Sequence, residues 1–390
     1  MLISVESDVH RLSMTPSHYG RFVQRAARTH TPLNVLLELT HRCHLDCVHC
    51  YLEDNHDLGA KQRELTEEEC CGLIDQLAGA GCLFLTLSGG EIFLRPDAMA
   101  IARHARRRGL ALRLFTSGTL MSPSRLRELK SLNPLSVEFS LYSADHPDRH
   151  DAIVRAPGSH RKTIDAVRAV SEAGIPVVIK TPLMKELFSE YPGLVRLART
   201  FGVFYLLDPT VTPKNDADLS PCALRLTAEQ LTALYADPEL PVAAEIGSLE
   251  SRRRLRHPDE EVCNLGKTGC AISPFGDVYP TLGFPLSAGN IKEQSFESIW
   301  REAPLFQRLR AVTVKDLHDC SGCEKFSYCN RCCMWALMDD GDLFGGSSWA
   351  CEIAAAKERA AGLPSEPTPH QVNPRRQTAG EHISPLRISF

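Results

Sequence analysis

Fifteen cysteines, at positions 43, 47, 50, 70, 71, 82, 222, 263, 270, 320, 323, 329, 332, 333 and 351, are the first chemical signal in this chain. Three of them stand in the run Cys43-His-Leu-Asp-Cys47-Val-His-Cys50. Three thiolates at that spacing can hold three irons of a [4Fe–4S] cube and leave the fourth iron without a protein ligand. A structural zinc site wants four donors, and His41, His44 and His49 could complete one. This motif alone leaves both readings open. Eight further cysteines crowd the span 263–351, whereas Cys82 and Cys222, with Cys70 and Cys71, read as scattered core thiols. The N-terminus lacks a charged-then-apolar signal sequence, so a reducing, cytoplasmic setting is expected. There, this many cysteines argue for metal rather than disulfides.

The elements that would position these thiols follow from length and periodicity. The chain has 390 residues, enough for two to three domains or one α/β barrel with an appendage. Hydrophobic residues make up 43% and charged residues 24%, ordinary for a globular protein. Lys and Arg number 44 against 48 Asp and Glu, so no basic excess points to nucleic acid. No apolar run approaches the ~20 residues of a membrane span. From Leu33 onward, short apolar runs at 34–39, 83–88, 111–116, 135–141, 176–181 and 203–207 read as buried parallel strands. Helical patterns alternate with them: 67–79 behind a Thr66/Glu69 capping box, then 97–108, 123–131, 161–173 and 191–201. Six such units predict right-handed crossovers and a parallel sheet, too few for a closed eight-stranded barrel. A partial barrel and a flat doubly wound sheet both satisfy the periodicity.

This pattern divides the chain into five parts: a polar N-terminal segment 1–32 with a helix from near Pro16, a barrel 33–210, a helical bridge 211–262, a Cys-rich domain 263–355 and a mobile tail 356–390. The Cys-rich part lacks periodicity long enough for a core of its own, so it is expected to lean on metal to fold.

The motifs of the first half fall at the C-terminal ends of consecutive strands, where barrels build their sites. Over residues 33 to about 210 the arrangement resembles the radical S-adenosylmethionine (SAM) superfamily. That resemblance implies a [4Fe–4S] cluster on Cys43, Cys47 and Cys50 whose open iron binds SAM. Electron transfer would then cleave the sulfonium to a 5′-deoxyadenosyl radical. The resemblance places His49 near the adenine and Gly89, Gly90 and Glu91, in Ser88-Gly-Gly-Glu91, at the SAM ammonium. Ile92 stands where Pro often follows. Ser117, in Thr116-Ser-Gly-Thr119, matches the family turn with Ser for Asn. Ser140, in Ser-Leu-Tyr-Ser, resembles the ribose-contacting serine, and Arg155 the arginine at the SAM carboxylate.

The second half resembles the SPASM extension of these enzymes. It carries Cys320-x2-Cys323-x5-Cys329-x3-Cys333 and then Cys351, preceded by Cys263, Ile272-Ser-Pro-Phe-Gly276-Asp-Val-Tyr-Pro280, Gly289-Asn-Ile291 and Ser298-Ile-Trp300. The implied fold class is α/β, a partial (β/α)6 TIM-like barrel followed by a small Cys-rich iron–sulfur SPASM domain with one or two auxiliary clusters. By resemblance, Cys320, Cys323, Cys329 and Cys351 form a complete ligand set. Cys263, Cys270 and Cys333 form a second set, with Thr281 where a fourth cysteine is usual and Cys332 as a bystander. Either the open iron of that second set falls to water, to Asp277 or to a substrate atom, or that cluster is absent.

SPASM members mostly modify peptides. The resemblance therefore implies a radical SAM oxidoreductase that abstracts hydrogen from a ribosomally made precursor peptide, giving a crosslink, a thioether or an oxidised residue. Such an enzyme takes electrons from a donor such as flavodoxin or ferredoxin. The Thr281-Leu282 pair lacks the Asp that sulfatase-maturing members carry after that cysteine. Only 42 residues precede Cys43, too few for a fused leader-recognition domain, so a separate recognition protein or the barrel surface itself is expected to read the peptide. Tetrapyrrole or other small-molecule maturation is the rival among enzymes, and a zinc-binding scaffold the rival outside them.

Overall fold

The structure, a computed structural model, describes residues 2–4, 18–53, 56–57 and 59–371; the expectations for Pro16 and for 372–390 lie outside them. A single sheet of ten strands organises it, in the order β1-β7-β6-β5-β4-β3-β2-β8-β9-β10. These strands are β1 (Leu2–Ser4), β2 (Asn34–Thr40), β3 (Phe84–Gly89), β4 (Ala111–Thr116), β5 (Ser136–Ser140), β6 (Val177–Pro182), β7 (Phe204–Asp208), β8 (Gly269–Ile272), β9 (Asp277–Tyr279) and β10 (Gly289–Asn290). The six strands β2 to β7 pair in parallel and in chain order. A doubly wound sheet reverses direction at a switch point. The run from β2 to β7 never reverses, so the periodicity resolves to a partial barrel.

Helices α1 (His18–Arg28), α2 (Ala60–Arg63), α3 (Glu67–Gly79), α4 (Ala98–Arg107), α5 (Pro123–Leu132), α6 (Pro147–Val154), α7 (Ser159–Glu172) and α8 (Tyr191–Phe201) belong to the barrel half. Their boundaries have local causes. Thr66 and Glu69 close the expected capping box on α3, with the Glu69 amide 3.2 Å from Thr66 Oγ1. Ser122 caps α5 ahead of Pro123. Gly202 takes the left-handed conformation, φ 63°, that ends α8. The sequence reading omitted α6, although Pro147 at its first turn signals a start.

Alternation along the strands sorts the side chains into two layers. Val35, Leu37, Leu39, Leu85, Leu87, Leu112, Leu114, Val137, Phe139, Val177 and Ile179 join the helices in one large core. The residues between them face the lumen and include Glu38, Thr86, Arg113, Phe115, Glu138 and Lys180. The lumen is therefore polar, unlike the packed interior of a closed barrel.

The second half holds α9 (Ala228–Ala236), α10 (Val242–Ile246), α11 (Leu249–Arg252), α12 (Phe296–Glu302), α13 (Pro304–Ala311), α14 (Cys333–Asp340) and α15 (Ser348–Ala360). Two expectations are corrected here. The Cys-rich part does build its own apolar core, from Val262, Phe284, Leu305, Leu309, Phe326, Leu337 and neighbours. Its apolar residues are spread over short elements, so no single stretch showed them. Nor is the chain from 356 a mobile tail throughout: α15 runs to Ala360, and Thr368 and His370 are buried. Strand β8 adds in parallel to β2, with Val35 opposite Cys270 and Leu36 opposite Ala271, so this half extends the barrel sheet.

Candidate active site

The loop carrying Cys43, Cys47 and Cys50 leaves the C-terminal end of β2 and is held from three sides. On the first side, the glycine turn after β3 lies flat against it, with Gly90 N donating to Thr40 O at 2.8 Å and Glu91 N to Arg42 O at 3.0 Å. Only glycine permits this approach. A Cβ on Gly89, at φ 129°, would meet Thr40 O at 2.1 Å, and one on Gly90 would meet Arg42 O at 2.4 Å. On the second side, the buried Glu64 carboxylate takes Arg42 Nε at 3.1 Å and Nη2 at 3.0 Å. On the third side, Asp46 N donates to Val154 O at 3.2 Å and Val48 N to Ile153 O at 3.0 Å, docking the loop on the end of α6.

The three thiols are half-buried and near enough to feel one another's charge. Burial pushes Cys43 up to about 12 and raises Cys47 and Cys50, so the metal-free thiols keep their protons until a cation draws them off. Among the described residues no three His, Cys, Asp or Glu side chains converge on a point for one metal ion. A zinc site would gather its donors about 2.3 Å from one centre, whereas thiolates on a cluster sit on separate irons. The donor set fits a cube with one open iron.

Around the loop the other expected residues assemble. His49 Nε2 meets the Tyr142 hydroxyl at 2.8 Å, and burial lowers this histidine to about 4, keeping it neutral. Glu91 is fully buried, and its carboxylate accepts from Phe93 N, Thr116 Oγ1, Ser117 N and Ser117 Oγ at 3.2, 2.8, 2.9 and 2.6 Å. It thus braces the glycine turn against the turn after β4, and Ser117 serves that brace. Ser140 closes β5, half-buried at the lumen mouth. Arg155 is held by Asp46 at 2.6 Å, tying α6 to the Cys loop.

Sequence reasoning missed the charged groups of the lumen. Lys180 Nζ lies 3.5 Å from the Glu138 carboxylate and 3.6 Å from the centre of the Phe115 ring. Their signal was the polar residue at every second strand position, masked by reading each strand as an apolar run. Glu38, also facing the lumen, accepts from the Tyr51 hydroxyl and meets His41 Nε2 at 3.2 Å. It lines a cavity of about 430 Å³ with Arg63, Asn215, Phe275 and Tyr279.

In the second half, Cys320, Cys323, Cys329 and Cys351 line one small cavity, and Thr368 Oγ1 donates to Cys351 Sγ at 3.2 Å. Of the other expected set, the Cys263 and Cys333 sulfurs are 3.8 Å apart, and Cys263 and Cys270 line one cavity with Thr281 and Cys332. Cys270 lies opposite Val35 where β8 pairs with β2, and both residues border that cavity as well as the barrel core.

Comparison with known proteins agrees with this geometry. The family model for the radical SAM superfamily matches residues 37–198, and that for the SPASM iron–sulfur cluster-binding domain matches 263–333. An AdoMet-dependent heme synthase of Methanosarcina barkeri is 30% identical over 338 residues, covering 81% of this chain and 95% of its own. A PqqA peptide cyclase of Xanthomonas oryzae is 31% identical over 304 residues, covering 75% of this chain and 80% of its own. The fold is that of Streptococcus suis SuiB bound to precursor peptide SuiA, with TM-score 0.63 at 16% identity over 85% of this chain and 80% of that one. Among the described residues no helix is long and apolar enough to cross a membrane. On these matches the chain belongs to the radical SAM superfamily as an iron–sulfur enzyme with a C-terminal SPASM domain.

Proposed function

We propose that this enzyme abstracts hydrogen from a peptide made on the ribosome and so matures it. In this reading Cys43, Cys47 and Cys50 hold the SAM-binding cluster, and Cys320, Cys323, Cys329 and Cys351 hold an auxiliary one. When bound, cluster and SAM supply a 5′-deoxyadenosyl radical able to attack an unactivated C–H bond. The chain's own residues do the positioning. Gly89 and Gly90 let backbone approach SAM closely, Glu91 and Ser117 keep that turn in place, and His49 offers a neutral ring to the adenine. Ser140 and Arg155 stand at the rim, for the ribose and the carboxylate of SAM. The observation that carries the reading is the glycine turn stapled to the three-thiol loop, which together make a preformed SAM seat. Lys180 lies opposite Ser140 and, with Glu138 one pleat below, offers a charged floor to a substrate group. A flavodoxin or ferredoxin of the cytoplasm would be the electron source.

A second reading, maturation of an iron tetrapyrrole, is favoured by the Methanosarcina relative, of which this chain covers 95%. One experiment separates them. Anaerobic enzyme, SAM and dithionite are incubated with a candidate precursor peptide or with a tetrapyrrole precursor of heme. Formation of 5′-deoxyadenosine coupled to a change in peptide mass supports the first reading. Coupling to a change in the mass of the tetrapyrrole overturns it in favour of the second. Replacing Cys43, Cys47 and Cys50 together by Ala should abolish 5′-deoxyadenosine in either case and lower iron by about one cube.

A further inference from the structure

Glu38 is 4% exposed on the lumen side of β2, opposite Ser88 of β3 and so beside the glycine turn. Its carboxylate forms part of the wall of the cavity of about 430 Å³ described above. The Tyr51 hydroxyl donates to one carboxylate oxygen, and His41 Nε2 lies 3.2 Å from the other. A carboxylate has about four lone-pair sites, so roughly two remain for another donor. Leu52 and Glu53, just past Cys50, line the same cavity, which therefore begins where the Cys loop ends. Its far side is built by Ser273, Phe275 and Tyr279 around β9 and by the segment 282–285.

The lining is rich in acceptors and carries net negative charge. Among the described residues its carboxylates are Glu38, Glu53 and Asp57, and its basic groups are Arg63 and His41. Asp57 and Arg63 offset each other at 2.6 Å. Even with His41 protonated, three carboxylates face two cations. Among the described residues no ion pair engages Glu53. Lys214 is spent on Asp218 at 2.9 Å and does not line the cavity. A further acceptor stands in the wall. Asn215 is anchored by its backbone N–H, which donates to Tyr51 O at 2.9 Å, and its side-chain Oδ1 is buried without a hydrogen-bond partner. That oxygen lies 3.9 Å from the position a Cβ would take on Gly283, another lining residue. A buried acceptor left unmatched is unfavourable, so this one calls for a donor that the chain itself does not supply.

Between these polar groups stand Leu52, Phe275, Leu282 and Phe284, apolar surface on which a hydrocarbon stem can lie. A flexible stem that ends in a positive charge and several N–H donors matches the whole lining. We propose that this cavity binds a cationic side chain of the peptide substrate, the ammonium of a lysine or the guanidinium of an arginine, with Glu38, Glu53 and Asn215 as its acceptors. Held there beside the glycine turn, the side chain fixes which neighbouring C–H bond faces the SAM seat. A substrate group bearing carboxylates meets like charge in the same place and is disfavoured. The inference rests on the functional reading above for taking this cavity as the substrate's, and it adds the chemical class that the cavity selects.

The test uses the full chain, reconstituted anaerobically with iron and sulfide and supplied with SAM but no reductant, so it needs no turnover. Pentylammonium, butylguanidinium, pentan-1-ol and pentanoate are titrated and followed by ligand-observed NMR. At least one cation should bind about tenfold more tightly than the alcohol, and pentanoate should bind least. The tighter of the two cations names lysine or arginine, and either supports the inference. Glu38→Gln should weaken the cation about tenfold and leave the alcohol unchanged. Glu53→Gln, at an exposed residue, should weaken it about threefold, and this variant decides where Glu38→Gln fails to fold. Equal binding of cation and alcohol, tighter binding of pentanoate, or cation affinity unchanged by Glu53→Gln and by any folded Glu38→Gln would overturn the inference. A cation preference in an enzyme that converts the tetrapyrrole and no peptide would overturn the peptide reading and leave the cation site standing. Conversion of a peptide without that preference would do the reverse.

Discussion

Glu91→Gln changes one atom of the site and tests what the residue is for. The carboxylate accepts four hydrogen bonds, Phe93 N and Thr116 Oγ1 on one oxygen, Ser117 N and Ser117 Oγ on the other. An amide keeps one acceptor oxygen and turns its NH2 toward the second pair of donors. The two hydroxyls can rotate away, but the backbone N–H groups cannot. Whichever way the amide is placed, Phe93 N or Ser117 N is left facing another N–H, at a residue that is 0% exposed. Hydrogen bonds to a charged group contribute about 1.5–3 kcal/mol, and a buried donor left unmatched costs about 1–3 kcal/mol. The variant should therefore lose about 3 kcal/mol. Urea unfolding of the anaerobic protein, followed by tryptophan fluorescence, measures this, while iron content should be unchanged because no thiol is touched. A loss below about 0.5 kcal/mol would refute the bracing role, since even one ordinary hydrogen bond is worth that. If SAM binding nevertheless vanished, Glu91 would belong to the SAM ammonium directly.

Two further outcomes follow from the same geometry. Glu64→Ala strands the Arg42 guanidinium, only 18% exposed, beside the Cys loop. It should cost about 3 kcal/mol and speed the loss of iron on dilution; unchanged stability and iron retention would show that the pair does not hold the loop. Glu190 is opposed by burial, yet hydrogen bonds from Ser143 and His146 and the charges of His146 and Arg149 outweigh it and lower its pKa. A depressed carboxylate stabilises the fold above its unfolded pKa, about 4.3, and that contribution fades as the pH falls through the lower folded value. Glu190→Gln should therefore flatten the fall in thermal stability below about pH 4, and an acid limb identical to that of the parent protein would count against it.

The elements themselves were legible because each carries its own local cause. Apolar runs and capping residues located all six barrel strands and five of the helices between them, though not α2 or α6, to within about two residues, since such runs and caps act over a few neighbours. The thiol loop was legible in its spacing along the chain, and the glycine turn and the Cys320 group in their resemblance to radical SAM and SPASM motifs. What required tertiary structure was every choice between two faces or two partners. That Cys270 shares a cavity wall with Cys263 and Thr281 depends on the pairing of β8 with β2. That Glu91 is spent on Ser117 depends on β3 and β4 lying side by side. That Lys180 and Glu138 share a lumen depends on the sheet curving so that alternate residues look inward. Those contacts join residues far apart in sequence, and no local pattern can encode the register that brings them together.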